Sequence, residues 1–323
     1  MREIALPKES EYFIAVLRVV DLTRTSPVLR TALRVGTGAS SEVSLLRSAS
    51  GGTIVGEVTS NPVGDQPYLE KQIARVVYEA FSIEVGGCVP PALFDWIAKS
   101  WDSDPPASDG AILRADAYFN VASEVDFNQA FVAATTFPSF DAASSSNLLL
   151  TVRLMPTSVQ PEKKPDTDLK GYVGHPPKPW LPANFLLTID GVDCTKVSRI
   201  DGFTVERQID VVVDDAGQPA VHVGLVAFPN LRIVLGSAAV ATWSAWYEDF
   251  VIRGHNDAAF EKTGSIRLLA ADMQTVLIRL DLFGLGIFRL VPLWSDKGPD
   301  VVPRYEADLY CQHMTLSAVE AFQ

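Results

Sequence analysis

The sequence predicts a mainly β fold made of two antiparallel β-barrels in tandem, each with one amphipathic helix. Three observations support this fold class. Short apolar segments rich in β-branched and aromatic residues recur along the chain, as is typical of strands. One segment in each half has the apolar spacing or aromatic content of a packed helix. The elements also follow the same order in both halves.

Length and charge limit the function classes. A chain of 323 residues suits two domains of about 150 residues each. The net charge of −12 argues against a nucleic-acid-binding surface, which is normally basic. The N-terminus lacks a signal-like apolar run, and no apolar stretch approaches the ~20 residues of a membrane-spanning helix. We therefore expect a cytoplasmic protein, at least until any assembly it belongs to leaves the cell.

The cysteines indicate a reducing compartment. Cys88, Cys194 and Cys311 are odd in number and far apart, so they predict neither a disulfide framework nor a metal site. We interpret each of them as a small core residue.

The first half has strand-like segments and one helix. Residues 70–81 are ambiguous, but their alternation from Ile73 onward favours a strand. Pro90 and Pro91 suit the first turn of a helix, and Leu93, Ile97 and Trp101 would form its apolar stripe. The other predicted strands are residues 12–20, 28–35, 42–47, 53–58, 82–85, 111–114, 126–133 and 147–154.

A proline-rich stretch, residues 156–182, separates the halves. Its seven prolines disfavour helix and central strand and favour an extended connector. The predicted domains are therefore residues 1–155 and 183–323, joined by this linker. A proline-rich docking peptide for a partner is the alternative interpretation.

The second half repeats the element order of the first. A helix-like run, residues 242–252, follows a short strand, and a possible hairpin precedes that strand around residues 209–226. The other predicted strands are residues 184–189, 197–209, 231–235, 265–269, 275–282 and 305–316.

A glycine–tryptophan spacing links the two halves. Trp96 follows Gly86 by ten positions, and Trp246 follows Gly236 by ten. Each half then has a glycine-led strand, a second strand, a polar loop and a last strand. We interpret this as a duplicated unit whose second copy is better preserved. Six aromatic residues would pack one helix of each unit against its barrel: Trp96, Trp101, Trp243, Trp246, Tyr247 and Phe250.

Segments of the second half carry a resemblance to a known family. In order, they are residues 185–191, 200–203, 205–207 and 228–231, the Trp243-x-x-Trp246-Tyr247 run, a strand led by Gly264, a strand around Leu280, and residues 312–316. Together they resemble the tail-tube protein family of contractile phages and related contractile injection systems. The resemblance covers about residues 183–317, and it reaches residues 12–155 only through the repeat.

The resemblance implies tail-tube-like barrels that assemble into a six-membered ring around a channel and do no chemistry. An ordinary tube subunit has one barrel, so two barrels per chain depart from the family pattern. Three chains would then supply six barrels, which suits a joint between a tube and a spike, hub or baseplate. Six chains forming stacked rings, or a cap adaptor, are the alternatives.

The sequence shows no catalytic, metal or cofactor motif. The four histidines, His175, His222, His255 and His313, do not cluster with other ligand-type residues. The acidic pairs, such as Asp102 with Asp104, have the pattern of solvated turns. We therefore expect neither enzyme nor cofactor, while an enzyme or ligand-binding β-barrel with an unrecognised site stays the alternative.

Four loops are candidate interfaces: residues 36–41, 51–52, 214–217 and 294–304. Asp214, Asp215 and Gly217 form the tip of the predicted hairpin. Trp294 lies in a long polar loop, where it would anchor a neighbour or cap its own barrel. The expected partners are further copies of the chain, as a trimer or hexamer ring, and other tube, hub, spike or baseplate proteins. We expect no membrane and no sequence-specific nucleic acid among them.

Overall fold

The structure is a computed structural model. It describes residues 30–36, 42–87, 89–161, 163, 169, 180–213, 219–293 and 303–318. Nineteen strands and two α-helices lie within these ranges, and the named strands in them pair in antiparallel fashion. No helix in this part of the chain is long and apolar enough to cross a membrane.

The first sheet is built mainly from the first half of the chain. Its main path runs in the order β2-β1-β7-β8-β10-β6-β3. The bounds are β1 Arg30–Val35, β2 Glu42–Leu46, β3 Ser48–Gly51, β6 Phe81–Val85, β7 Ser108–Ala115, β8 Val121–Phe137 and β10 Leu150–Met155.

The first sheet closes on itself. Only Arg47 separates β2 from β3, β2 pairs with β1, and β3 pairs with β6 at the opposite end of the path. The Arg47 amide donates to the Glu84 carbonyl, which joins the two segments at the bend. Counted as one bent strand, β2 and β3 complete a barrel of six strands.

The second sheet has the same core order. It runs β12-β17-β18-β19-β16-β13, with the short β9 of the first half added beside β13. The bounds are β9 Phe140–Asp141, β12 Phe185–Ile189, β13 Val197–Ile200, β16 Leu231–Gly236, β17 Lys262–Leu269, β18 Val276–Leu293 and β19 Arg304–Ala318.

Each half also has a hairpin before the strand that leads into its helix. The first is β4–β5, which forms a separate two-stranded sheet. The second is β14–β15, which joins the first sheet. The bounds are β4 Ile54–Pro62, β5 Leu69–Tyr78, β14 Phe203–Val213 and β15 Pro219–Ala227.

The two helices follow β6 and β16. Helix α1 is Pro91–Lys99, with Pro90 at its N-cap, and it buries Leu93 and Ile97. Helix α2 is Val240–Tyr247 and continues into a π-helical turn, Glu248–Ile252. Because α1 ends at Lys99, Trp101 lies two residues beyond the helix that the apolar stripe predicted.

One hydrophobic core spans both halves. It includes Leu33 and Leu93 of the first half together with Trp243 and Leu309 of the second, all fully buried. Burial of this apolar area is the main term that holds the sheets and helices together. The mainly β, antiparallel fold with one helix in each half is confirmed, and residues 69–78 form the strand that their alternation favours.

The ends of the proline-rich stretch lie against the first half. Ser158–Val159 form the short strand β11 beside β8, and Lys163 forms a bridge to Glu124. Trp180 is almost fully buried, and its carbonyl accepts a bond from the Leu148 amide. Most of residues 162–179, and the predicted strand at residues 12–20, lie outside the described residues.

Candidate functional site

The most informative contact in the molecule is a strand that the second half gives to the first sheet. The start of β14 pairs with the end of β8, with Phe203 opposite Phe137 and Glu206 opposite Ala134. The hydroxyls of Thr136 and Thr204 lie 2.9 Å apart across the pair. Strand addition of this kind combines backbone hydrogen bonds with side-chain packing. We call this contact the internal joint.

Arg207 fixes the hairpin to the end of helix α1. Its Nε donates to the Ser100 carbonyl at 2.8 Å, and its Nη2 donates to the Asp102 carbonyl. A third bond runs from Nη1 to the Gly224 carbonyl at 3.0 Å, within the hairpin. Burial lowers the pKa of the Arg207 guanidinium, and the nearby Asp102 partly counteracts this. A cation at a helix C-terminus also suits the negative end of the helix dipole.

An aromatic cluster fills the space beneath the internal joint. Phe203 stacks on Phe137 with ring centroids 5.1 Å apart. Trp101 makes edge contacts with Phe137 at 6.3 Å and with Phe228, which follows β15, at 6.2 Å. Aromatic pairs of this geometry add about 0.5–1.5 kcal/mol each beyond area burial. The cluster therefore joins side chains of both halves in one packed unit.

A second strand contact links the halves at the base of the joint. Phe140 and Asp141 pair with Ile200 and Arg199 at the edge of β13. The Ala142 amide extends this contact by donating to the Ser198 carbonyl. Each half thus adds a strand to the sheet of the other: β14 pairs with β8 of the first half, and β9 pairs with β13 of the second.

The two halves have matching registers as well as matching strand order. In the first half Gly110 lies opposite Phe127, and in the second Gly264 lies opposite Leu282. Each glycine follows a register shift, between Ser108 and Gly110 and between Lys262 and Gly264. The long strands β8 and β18 therefore correspond at an offset of 155 positions (127 to 282).

The aromatic residues expected to pack the helices are placed as follows. Trp96 and Trp246 are nearly buried, and Trp243 is fully buried. The Trp243 Nε1 donates to the Asp193 carbonyl at 2.9 Å, and the Trp96 Nε1 donates to the Pro106 carbonyl at 3.0 Å. Tyr247 ends α2 and is half-buried.

Phe250 lies in the π-helical turn, where it is buried and contacts both Trp246 and Tyr310. Of the residues proposed from the sequence as interface loops, Asp214, Asp215, Gly217 and Trp294 lie outside the described residues. Gly51 is the last residue of β3 and pairs with Phe81. The interface in loops therefore stays a prediction.

Sequence reasoning identified the hairpin around residues 209–226 but not the strand that it joins. Partner choice in a sheet depends on contacts far apart in sequence, here Phe203 with Phe137. One local signal was available in the sequence, since the apolar Val205 and Ile209 alternate with polar residues, and the structure buries both of them together with Arg207. Such alternation indicates a strand with one buried face, which a free two-stranded hairpin could not provide.

The described residues contain no cluster of three or more potential metal ligands. His255 pairs with Asp249 at 2.9 Å on the surface, and His313 packs against Phe228. Burial raises the pKa of the Cys194 and Cys311 thiols to about 11 each, so neither is an activated nucleophile.

One open depression of about 560 Å³ lies beside α2 and is lined by Asp190, Thr242, Trp246, Phe260 and Lys262 among others. Lys262 Nζ lies 5.6 Å from the Trp246 ring centroid there. This arrangement is a cation–π contact on the surface.

No protein-family model matches this chain, and no curated protein matches it. Among solved structures, the chain is similar to a component of the PVC sheath–tube complex, an extracellular contractile injection system in the extended state. That match has 22% identity and a TM-score of 0.37 and covers 46% of this chain and 97% of the other.

Two further similarities are to chains of structures that terminate a tube. A chain of the PVC sheath/tube terminator matches at 24% identity with a TM-score of 0.36, covering 44% of this chain and 99% of that one. A chain of the anti-feeding prophage tube-terminating cap matches at 14% identity with a TM-score of 0.32, covering 42% and 89%. Each of them is thus matched over most of its own length by less than half of this chain.

Proposed function

We propose that this protein is a structural ring component of a contractile tail-like injection machine. In this proposal the chain is a tandem duplication, and its two barrel units occupy neighbouring positions in one ring. Three chains supply the six barrels of the ring, which forms part of the inner tube or its joint to the spike or baseplate. The protein has no catalytic role in this proposal.

The internal joint is the observation that carries the proposal. One unit completes the sheet of the next by donating the hairpin β14–β15 to β8. A contact between two similar units that uses different surfaces on each is heterologous, and heterologous contacts generate rings when the rotation closes. The chain thus contains one such contact already made, between its own two halves.

The family resemblance of residues 183–317 supplies the number six. Two units per chain then give three chains, of 3 × 35.1 kDa or about 105 kDa. The proposed assembly forms in the cytoplasm with other tube, hub or baseplate proteins and leaves with the particle.

The test is the size and symmetry of the purified protein. Light scattering should give a mass near three times that of the chain, and negative-stain images should show threefold rings with six lobes. A mass and images that correspond to six chains in stacked rings would support that alternative assembly in place of the three-chain ring. A monomer at all concentrations would overturn the proposal.

A further inference from the structure

The hairpin β4–β5 is the counterpart of the hairpin that forms the internal joint. In this hairpin Val55 lies opposite Val77, and Val77 precedes Phe81, the first residue of β6, by four positions. In the hairpin β14–β15 Glu206 lies opposite Ala227, and Ala227 precedes Leu231, the first residue of β16, by four positions. The hairpins therefore occupy the same place in the two halves.

Their irregularities also coincide. The register of β4–β5 shifts between Glu57 and Val58, after which Val58 faces Ile73. The register of β14–β15 shifts after Arg207, after which Ile209 faces Val223. The first strands thus correspond at an offset of 151 positions, so Ile54 corresponds to Val205.

The two hairpins differ in what covers them. Val205 is 2% exposed and Ile209 is 9% exposed, because β14 lies on the first sheet. Their counterparts Ile54 and Val58 are 40% and 60% exposed. The same hairpin leaves further apolar side chains in solvent: Val63, Tyr68, Leu69, Ile73 and Val76. An isolated two-stranded hairpin is marginal in water, so this element needs a partner.

The place equivalent to the internal joint is open on the second sheet. Strand β17 pairs with β18 only between Val276 and Leu285, while β19 pairs along its other side as far as Leu293. Among the described strands, none pairs with the free side of β18 beyond Leu285. The corresponding segment of β8 pairs with β10 on one side and with β14 on the other. The free side of β18 is therefore the counterpart of the side of β8 that β14 occupies.

The free edge of β18 is exposed and, apart from Arg289, apolar. Phe288 is 43% exposed, whereas its counterpart Ala133 in β8 is 1% exposed. Leu293 is 38% exposed, and Leu290 and Val291 are half-buried. An unpaired apolar strand edge is a template for pairing with another strand.

The helix end beside this edge repeats the pattern. Trp101 follows α1 and receives Phe228 of the neighbouring hairpin. Trp101 follows Trp96 by five positions, and Val251 follows Trp246 by five, so Val251 is the counterpart of Trp101. Val251 is 37% exposed, and the next residue, Ile252, is 67% exposed. Tyr78, at the end of β5, stands where Phe228 stands at the end of β15.

We propose that the hairpin β4–β5 of one chain adds to the free edge of β18 in the next chain, in the register of the internal joint. Ile54 then lies opposite Leu290 of the neighbour, as Val205 lies opposite Thr135, and Thr53 lies opposite Val291. Tyr78 packs on Val251. The occupant of this edge is a second copy of this chain, because the chain itself carries, within its described residues, a hairpin of the matching register that has joined no larger sheet.

This inference rests on the proposed ring and names the surface that closes it. Around the ring, contacts between units then alternate between the internal joint and this interchain joint. Both have the same polarity, so every unit gives one hairpin and receives one.

Cysteine pairs test the register. In a background without the three native cysteines, we expect Ile54→Cys with Leu290→Cys, or Thr53→Cys with Val291→Cys, to form interchain disulfides. Neighbouring residue pairs alternate between the two spacings of an antiparallel ladder, so at least one of these has the closer geometry. Ile54→Cys with Arg279→Cys, at the far end of β18, is the mismatched control. The pair Val205→Cys with Thr135→Cys should link within one chain.

Complementation tests the partner. Ile54→Lys impairs the hairpin, and Phe288→Lys impairs the edge, and both positions are exposed in the single chain. Each variant alone should be a monomer with the melting temperature of an unassembled chain. Mixed together they should form a one-to-one heterodimer, since one retains a sound edge and the other a sound hairpin. Leu186→Lys, at an exposed apolar position on β12, is the matched control and should assemble normally.

The outcomes separate this inference from the proposed function. Six-lobed rings without the matched crosslinks, or rings formed by either lysine variant, would overturn the interchain joint and leave the ring proposal standing. A crosslink from Leu290→Cys to a cysteine placed at Val16 in the same chain would assign the edge to residues 12–20 instead. A wild-type monomer would remove both proposals.

Discussion

Gln129 and Gly284 hold the same position in two strands that are 155 positions apart, and both have a positive φ. Gln129 has φ +45° in β8, and Gly284 has φ +63° in β18. Each lies where the register with the neighbouring strand shifts, next to Ala130 and Leu285 respectively. The bulge is thus present in both halves, although only one of them has the residue that suits it.

We predict opposite effects for exchanges at these two positions. Gln129→Gly should raise the melting temperature, because glycine removes about 1 kcal/mol of left-handed backbone strain. Gly284→Ala should lower it, because alanine adds that strain and its Cβ would lie 2.8 Å from the Gln312 side chain. Calorimetry of both variants measures the difference. Shifts of the same sign would contradict the equivalence of the two bulges.

Local patterns predicted most elements because each strand half-buried in a sheet has its own alternation. Residues 81–85 and 231–236 are such strands, and both helices were recognised from their aromatic or apolar residues. The bend at Arg47, which closes the first barrel, was not predictable in this way. It depends on hydrogen bonding to Glu84, a residue 37 positions away.

Gly110 and Gly264 give a second matched pair. A Cβ on Gly110 would lie 2.3 Å from the Arg34 carbonyl oxygen, and one on Gly264 would lie 2.4 Å from that of Thr188. Backbone atoms of paired strands cannot move aside at low cost. We therefore expect alanine at either position to destabilise the protein by about 2 kcal/mol or more.

Gly236→Ala is the control for these two variants. A Cβ there would be 3.6 Å from the nearest side-chain atom, an ordinary contact. Its melting temperature should stay close to that of the wild type. Comparable losses at all three positions would show that the close backbone approach is not the cause.

The internal joint could not be predicted because its partners are more than 60 positions apart and no motif marks them. Its aromatic cluster shows the difficulty. Trp101 belongs by sequence to the end of a helix, and it looked like part of that helix's own stripe. In the structure it contacts Phe228 of the other half, so its environment is set by topology and not by local spacing.

Arg207 provides a direct test of that joint. Arg207→Ala leaves the carbonyl of the buried Ser100, and that of Asp102, without their donor, which should cost about 2–3 kcal/mol. Arg207→Lys should recover part of this loss, because an ammonium group cannot reach all three carbonyls in the fork geometry. Thermal unfolding with hydrogen exchange at β14 measures both effects.

The control for Arg207 is another arginine of the same half. Arg199 forms an exposed ion pair with Asp201 at 2.8 Å. Exposed pairs contribute about 0–1 kcal/mol, so Arg199→Ala should change stability little. If it destabilises as much as Arg207→Ala, the special role of the buried guanidinium at the joint is wrong.

Asp308 predicts how the second sheet responds to acid. It is nearly buried in β19 and accepts bonds from Arg232 at 2.8 Å and from Arg289 at 2.9 Å. Burial by itself raises the pKa of Asp308, but the two guanidinium hydrogen bonds outweigh it and hold the pKa below 3.8. Because the folded pKa is the lower one, the stabilisation is present above about pH 4 and is lost as the pH falls through the folded pKa.

Asp308→Asn should therefore lower stability at pH 7 by about 1–2 kcal/mol, since both arginines keep their exposed surface and water partly replaces the lost partner. The difference from the wild type should shrink steadily as the pH falls below about 4, as measured by urea unfolding at a series of acidic pH values. Asp281→Asn, at a carboxylate that pairs with Arg279 and is more exposed than that of Asp308, is the matched control and should change stability by less than about 0.5 kcal/mol. A difference for Asp308→Asn that stayed constant with pH would mean that packing, and not the charge of Asp308, holds β19 between these arginines.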